Sequence, residues 1–268
     1  MPGRVGLIGL GRMGKPMCQY LLKAGFPVTV FDLQAEAMTA LAALGARAAG
    51  SARQVAQASD VILVMVADDT QVRQVVGELL DGAPTGAVIA ICSSVHPDTC
   101  RELAQASAQR GVGLVDAPLA RGVRGAESGT LTAYFGGEER DIAVCRPVFA
   151  AFCEQLLPMG PVGAGQITKT CNNLLHWAAV VACYESLTLG ARLGISPNKL
   201  RPALLAGSGE SRTLRELDLI GMYWYKKDLE TALDMAQASH TALPLIQHVN
   251  NLIEGITVQD LRALFKGE

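Results

Sequence analysis

The stretch Arg4-Val-Gly-Leu-Ile-Gly-Leu-Gly-Arg-Met-Gly14 decides how the rest of the chain is read. Its first half is a short apolar run with the composition of a buried strand. That run passes directly into Gly9-Leu10-Gly11-Arg12-Met13-Gly14, a Gly-x-Gly-x-x-Gly turn, and then into the helical stretch Lys15-Pro-Met-Cys-Gln-Tyr-Leu-Leu-Lys23. In such a turn the first glycine permits a tight reversal and the second lets backbone N–H groups approach a pyrophosphate. The third lets helix and strand pack closely, and the helix N-terminus supplies donors and partial positive charge. The pattern is weak alone, but its context is complete: strand before, helix after, and a second strand, Val28-Thr-Val-Phe31, ending in Asp32. Asp32 lies 18 residues beyond Gly14, where a carboxylate bonds a ribose 2′-hydroxyl and repels a 2′-phosphate. The cofactor expectation is therefore NAD, with NADP less favoured, held by residues 9–14 and Asp32.

Outward from this motif, apolar strands alternate with helical stretches. Val61–Val66, Ala87–Ile91 and Gly113–Asp116 read as further strands, and Tyr134–Gly137 closes another. Helices are expected over Ala35–Leu44, Thr70–Leu80, Pro97–Arg110 and roughly Glu139–Cys153. Strands apolar on both faces and joined by helices imply a doubly wound parallel α/β sheet. Beyond Gly165 every segment reads as helix, broken at Gly194–Pro197, Gly207–Gly209 and His240–Pro244. The expected division is a Rossmann-type domain over 1–162 and an all-helical domain over 163–268 that begins with a long linking helix.

Composition narrows the partners. Of 268 residues, 50% are hydrophobic and 18% charged, which suits a large core and argues against disorder. The formal net charge is −2, with no basic stripe or aromatic-laced basic patch, so nucleic acid is not an expected partner. Seven scattered cysteines without a C-x-x-C pair suit a reducing cytoplasm rather than a disulfide frame or a zinc site, and no metal is expected. The start Met1-Pro-Gly-Arg-Val lacks the plan of a signal peptide. No run reaches the roughly 18 uninterrupted apolar residues of a spanning helix, so no membrane is expected.

The candidate chemistry lies at the start of the helical half, in Gly163-Ala-Gly-Gln-Ile-Thr-Lys-Thr-Cys-Asn-Asn-Leu-Leu-His176. Lys169 and Asn173 are four apart and share a helix face, ahead of the apolar run Trp177–Cys183. A charged amine on a largely apolar helix is costly unless it is paired, neutralised or used, or unless it snorkels to water over a buried stem.

Four motifs in order give the chain a family resemblance. Gly6–Met17 is similar to the cofactor motif of the β-hydroxyacid dehydrogenases, which include 3-hydroxyisobutyrate dehydrogenase and tartronate semialdehyde reductase. Asp116-Ala-Pro-Leu-Ala-Arg-Gly-Val-Arg-Gly-Ala-Glu-Ser-Gly-Thr-Leu-Thr132 is similar to their substrate motif. Gly163–Asn173 resembles their catalytic motif, and Lys227-Asp-Leu229 their C-terminal one. The resemblance implies a Rossmann domain, a helical C-terminal domain and a homodimer or homotetramer acting on a small anionic substrate. It makes Lys169 the general acid/base for hydride transfer, seconded by Asn173, with Asp228 closing the site. Ser94, at the end of the fourth strand, stands where the family usually has threonine and implies contact with substrate or cofactor. Val66 and Ala67, after the third strand, and Lys227 are implied on the cofactor side.

The chain departs from the family at 119–122. Where the family has Val-Ser-Gly-Gly, this chain has Leu119-Ala120-Arg121-Gly122. Ala120 removes a hydroxyl expected to bind the substrate carboxylate, and Arg121 replaces a glycine. A guanidinium here either grips a carboxylate, sulfonate or phosphonate bidentately, or turns to solvent or pairs with Glu127. Two other function classes remain open. One is a reductase of a different anionic substrate or an imine, although imine-reducing relatives often lack the lysine; the other is a non-catalytic dinucleotide-binding module.

Overall fold

The computed structural model describes residues 3–266, which form two compact units meeting in sequence at Lys169 and Thr170. The first unit is an α/β sheet. Its parallel part is built from β1 (Val5–Ile8), β2 (Val28–Phe31), β3 (Arg47–Ala48), β4 (Val61–Val64), β5 (Val88–Ile91) and β6 (Gly113–Asp116). Three further strands follow: β7 (Leu119–Ala120), β8 (Leu131–Gly136) and β9 (Cys153–Gly160). The strand order is β3-β2-β1-β4-β5-β6-β8-β7, with β9 paired to β8. The order reverses direction at β1, between β2 and β4. In open α/β sheets the carboxyl edge at such a switch point is where ligands bind.

Seven helices connect these strands: α1 (Gly14–Lys23), α2 (Ala35–Ala42), α3 (Ala52–Gln57), α4 (Asp69–Leu80), α5 (Pro97–Ala108), α6 (Gly122–Ser128) and α7 (Glu139–Phe149). Their apolar faces cover both sides of the sheet. Val5, Leu7, Val30, Leu63 and Ala90 point into one layer with Met17 and Leu21 of α1. Ile8, Ile62, Val64, Ile89 and Ile91 point into the other, with Val72, Val76 and Leu79 of α4. This is the period-2 alternation of a sheet buried on both faces.

The second unit is helical. It contains most of α8 (Ala164–Arg192), then α9 (Pro197–Leu205), α10 (Arg212–Arg215), a single 3₁₀ turn (Leu217–Leu219), α11 (Tyr225–Ala238), α12 (Pro244–Ile253) and α13 (Val258–Ala263). Its core gathers Trp177, Val180 and Leu187 of α8 with Leu229 of α11 and Val249 and Ile253 of α12. Among the described residues α8 alone is long and apolar enough to cross a membrane, judged by length and composition, which a core helix also satisfies.

Three features differ from the sequence expectation. The sheet is mixed, because β8 runs antiparallel to β6 and β7. The helix expected over Glu139–Cys153 ends at Phe149, and Cys153 instead opens β9. Most of β9 is exposed and it contains Pro158, so it carries neither the alternation nor the continuous apolar run that marks a strand. Short elements such as β3, α3 and β7 are below the length at which periodicity is readable.

Phe135 of β8 is fully buried and stacks edge-on against Phe149 of α7 at 4.8 Å, with Phe152 next to it. Phe135→Ala should lower unfolding free energy by about 3–5 kcal/mol. Urea unfolding followed by circular dichroism would check this, and a loss under about 1 kcal/mol would mean that this aromatic cluster is not what fixes β8 against α7.

Candidate active site

The glycine turn after β1 is built for close approach. Gly9 has φ of 90°, the left-handed region that favours glycine, and a Cβ there would strike the Met65 carbonyl. A Cβ on Gly14 would collide with the Gly9 carbonyl, so α1 starts hard against the turn. Gly11 faces open space with nothing within 4 Å of an added Cβ. The turn is thus tight at its first and third glycines and open at its second, which is the space a pyrophosphate needs. Arg12 is exposed and Met13 half-buried at the mouth of this turn.

Asp32 does more than end β2. The Leu10 N–H donates to its Oδ2 at 2.6 Å and the Gln34 N–H to its Oδ1 at 2.8 Å. Each carboxylate oxygen therefore takes one backbone donor, fixing the acid beside the glycine turn. Each keeps a lone pair for a ribose hydroxyl.

The loop after β4 is held from β5. Val66 N–H donates to Ser93 Oγ at 2.8 Å, and that hydroxyl donates back to the Val66 carbonyl at 2.8 Å. Ala67 N–H is taken by Gln71 Oε1 at 3.1 Å, and Asp68 caps α4 through Gln71 N–H at 2.9 Å. Ser93, the neighbour of Ser94, carries no local sequence signal for this role. Ser93 is 2% exposed and ties two site loops together.

The start of α8 rests on a buried carboxylate. Asp116, the last residue of β6, has no exposed surface, and its two oxygens take the N–H of Gly163 at 2.7 Å and of Gln166 at 2.8 Å. An acceptor at a helix N-terminus satisfies orphan donors and meets the positive end of the helix dipole. Burial pushes the Asp116 carboxyl up to about 6, against the opposing pull of these backbone N–H groups. Gln166 is 1% exposed; its Oε1 accepts the Val95 N–H at 3.1 Å and its Nε2 donates to the Ser93 carbonyl at 2.9 Å.

Lys169 follows Gln166 by three residues on α8 and is half-buried, and Asn173 one turn on is 7% exposed. The continuous helix from Ala164 to Arg192 places the two on one face. Within the second unit, Asp228 of α11 accepts the indole N–H of Trp177 at 3.0 Å, and Lys227 precedes it in the first turn. His176 is paired with Thr213 at 2.9 Å and stacks on Trp177, in keeping with a histidine that fills a polar gap.

The 119–122 loop corrects one alternative from the sequence. Ala120 is 5% exposed on β7, and Gly122 has φ of 58° at the start of α6. Arg121 itself has φ of 81°, so a side chain occupies a left-handed position that favours glycine, the residue that the family resemblance implies here. That costs on the order of 1 kcal/mol. Its Nη1 donates to the Thr130 carbonyl at 2.7 Å and pairs with Glu154 of β9, not with Glu127. The sequence had no means of finding Glu154, which becomes a neighbour only through the β8–β9 pairing.

The geometry now has relatives to stand beside. Residues 4–160 match the family described as the NAD binding domain of 6-phosphogluconate dehydrogenase, and residues 163–263 match that described as the NAD-binding of NADP-dependent 3-hydroxyisobutyrate dehydrogenase. The chain belongs to the β-hydroxyacid dehydrogenase family. Its enzymatic class is that of the nicotinamide-dependent hydroxyacid oxidoreductases. The chain is 34% identical to an NAD-dependent L-serine dehydrogenase of Pseudomonas aeruginosa, covering 90% of this chain and 88% of that one. It is also 34% identical to a 2-(hydroxymethyl)glutarate dehydrogenase of Eubacterium barkeri, over 94% and 88% of the two chains. In three dimensions it is similar to Mycobacterium tuberculosis 3-hydroxyisobutyrate dehydrogenase with L-serine, at a TM-score of 0.88 and 25% identity over the whole of both chains. Similar identities to enzymes named for different hydroxyacids leave the substrate to be argued from the site.

A carboxyl raised from 3.8 to about 6 binds protons more tightly in the native than in the unfolded chain. Asp116 therefore makes stability fall as pH rises between these values. Urea midpoints of wild type and Asp116→Asn, measured from pH 4 to 7, should show this decline in the wild type and a flatter curve in the variant. Parallel curves would mean that Asp116 titrates at an ordinary value.

Proposed function

We propose that this chain interconverts a small acidic 3-hydroxy compound and its aldehyde or ketone, with NAD as the cofactor and Lys169 as general acid/base. The observation that carries this reading is the placement of Lys169. It stands one turn into a helix whose first turn is clamped to the ends of β5 and β6, the carboxyl edge of the sheet that also carries the glycine turn and Asp32.

The residues present suit a dinucleotide. Residues 9–14 offer an open backbone cradle at a helix N-terminus, Asp32 offers a fixed carboxylate, and Val66 and Ala67 line the next loop. Bound NAD supplies the hydride acceptor. In oxidation, Lys169 Nζ takes the hydroxyl proton as the substrate carbon becomes a carbonyl. In reduction, it holds the developing alkoxide and returns the proton. Asn173 orients the lysine or the substrate from one turn away, and Ser94 adds a hydroxyl. Ala120 contributes no polar side chain, so the substrate acid relies on the backbone of the loop through Gly122 and on Arg121. Because Nη1 bonds the Thr130 carbonyl and pairs with Glu154, the Nε–Nη2 edge of Arg121 is the part suited to a carboxylate.

Asp32 favours NAD over NADP through charge. Leu33 beside it is 93% exposed and offers a 2′-phosphate no cation. The chain acts as a homo-oligomer on this reading, because Leu175 and Leu189 of α8 are 76% and 62% exposed and invite a partner. All seven cysteines are free, which suits the cytoplasm.

Absorbance at 340 nm with NAD and L-serine, 3-hydroxyisobutyrate or 2-(hydroxymethyl)glutarate tests the reading. At least one compound should turn over, and Lys169→Ala should lose roughly 100-fold or more in kcat while still binding NAD. Turnover that survives Lys169→Ala would remove the lysine from its role. Asp32→Ser should narrow the NAD-over-NADP preference by roughly tenfold or more; an unchanged ratio would show that another group reads the 2′ position.

A further inference from the structure

Gln166 has no part in the chemistry described so far, yet it is among the most thoroughly engaged polar residues of the first unit. Its backbone N–H bonds the Asp116 carboxylate, its Oε1 takes the Val95 N–H, and its Nε2 donates to the Ser93 carbonyl. At 1% exposure, a buried primary amide left half-bonded would be costly, so these contacts define one position for the side chain. Ser93 in turn holds both the N–H and the carbonyl of Val66. A chain of bonds therefore runs from the loop after β4, through Ser93, to the Gln166 amide and then to Asp116.

We propose that Gln166 is a positioning residue: its side-chain amide locks the Ser93–Val95 loop, which carries Ser94, to the helical turn that precedes Lys169. The proposal deepens the reading of Lys169 as the acid/base and rests on it. The two amide bonds tie the loop that carries Ser94 to the turn that precedes the lysine, beside the sheet below them and the packing of Gly163 near Pro97 and Arg101 of α5. A displacement of about 1 Å between reacting groups is enough to cost roughly 100-fold in rate.

The geometry of the two amide bonds makes the role separable from bulk packing. Gln166→Leu fills similar space and removes both bonds. Gln166→Glu keeps an acceptor for the Val95 N–H, but when ionised it sets a carboxylate against the Ser93 carbonyl. Protonated, it regains an O–H donor toward that carbonyl. The Gln166→Glu variant should therefore recover rate as pH falls, a signature that lost packing does not produce.

The test uses the full-length enzyme with NAD and whichever of L-serine, 3-hydroxyisobutyrate or 2-(hydroxymethyl)glutarate turns over fastest, alongside amide hydrogen exchange. The expected result for Gln166→Leu is a kcat reduced roughly 10- to 100-fold with the Kd for NAD within about threefold of wild type. Exchange should accelerate together at 93–95 and 163–169. Gln166→Glu should show a kcat that rises toward wild type below neutral pH. If Lys169→Ala is inactive while Gln166→Leu keeps wild-type kcat, the positioning role is overturned and the lysine reading stands. If Lys169→Ala stays active, or none of the three compounds turns over, the lysine reading loses its support. The exchange data then decide the lock itself: coupled acceleration supports it, and acceleration at one segment alone refutes it.

Discussion

A carboxylate with no exposed surface sits where the sheet of this protein meets its long helix, and much of the site depends on it. Burying Asp116 would be prohibitive without partners. It is tolerated because the N-terminus of α8 brings two N–H groups to its oxygens at 2.7 and 2.8 Å. The same contact fixes where α8 begins, and so where Lys169 falls along it. The surrounding chain pays heed to this geometry: a Cβ on Gly136 or Gly165 would intrude on the Asp116 carboxylate, so both positions need a residue without a side chain.

The loops along this edge follow the same economy, in which one polar group ties two segments together. Asp32 staples the glycine turn to the end of β2. Ser93 joins the loop after β4 to the loop after β5, and Gln166 joins the latter to α8. Preorganised donors and acceptors of this kind need no rearrangement when charge develops at a reacting oxygen, which is where an enzyme gains most. Arg121 is the local exception. It accepts backbone strain at φ 81°, and its ion pair with Glu154 and its bond to the Thr130 carbonyl hold it there. Backbone strain of this kind clusters at functional sites.

Much of this was legible in the sequence because its signals are local. Gly9 to Gly14, the apolar strands and Asp32 are read within a few residues of one another, and they gave the Rossmann-type unit and its helical partner. The start of α8 was visible through Gly163 and Lys169. What escaped were relations formed by folding. Glu154 meets Arg121 only because β9 pairs with β8, and β9 itself is an exposed strand without alternation. Gln166 stood in plain view beside Lys169, but nothing local says that its amide reaches Ser93, 73 residues earlier. Asp116 was visible within a motif, while its bond to Gly163 spans 47 residues. Family likeness points to the motif, and the tertiary contacts explain why those residue types are needed in it.

The most direct test of the account is hydrogen exchange of the wild-type protein with and without NAD, at matched concentrations of NADP as a control. The account predicts that NAD protects the amides of residues 9–14, 32–34 and 66–68, and that NADP does so weakly. Protection absent from the glycine turn, or equal with the two cofactors, would contradict both the cradle and the role assigned to Asp32.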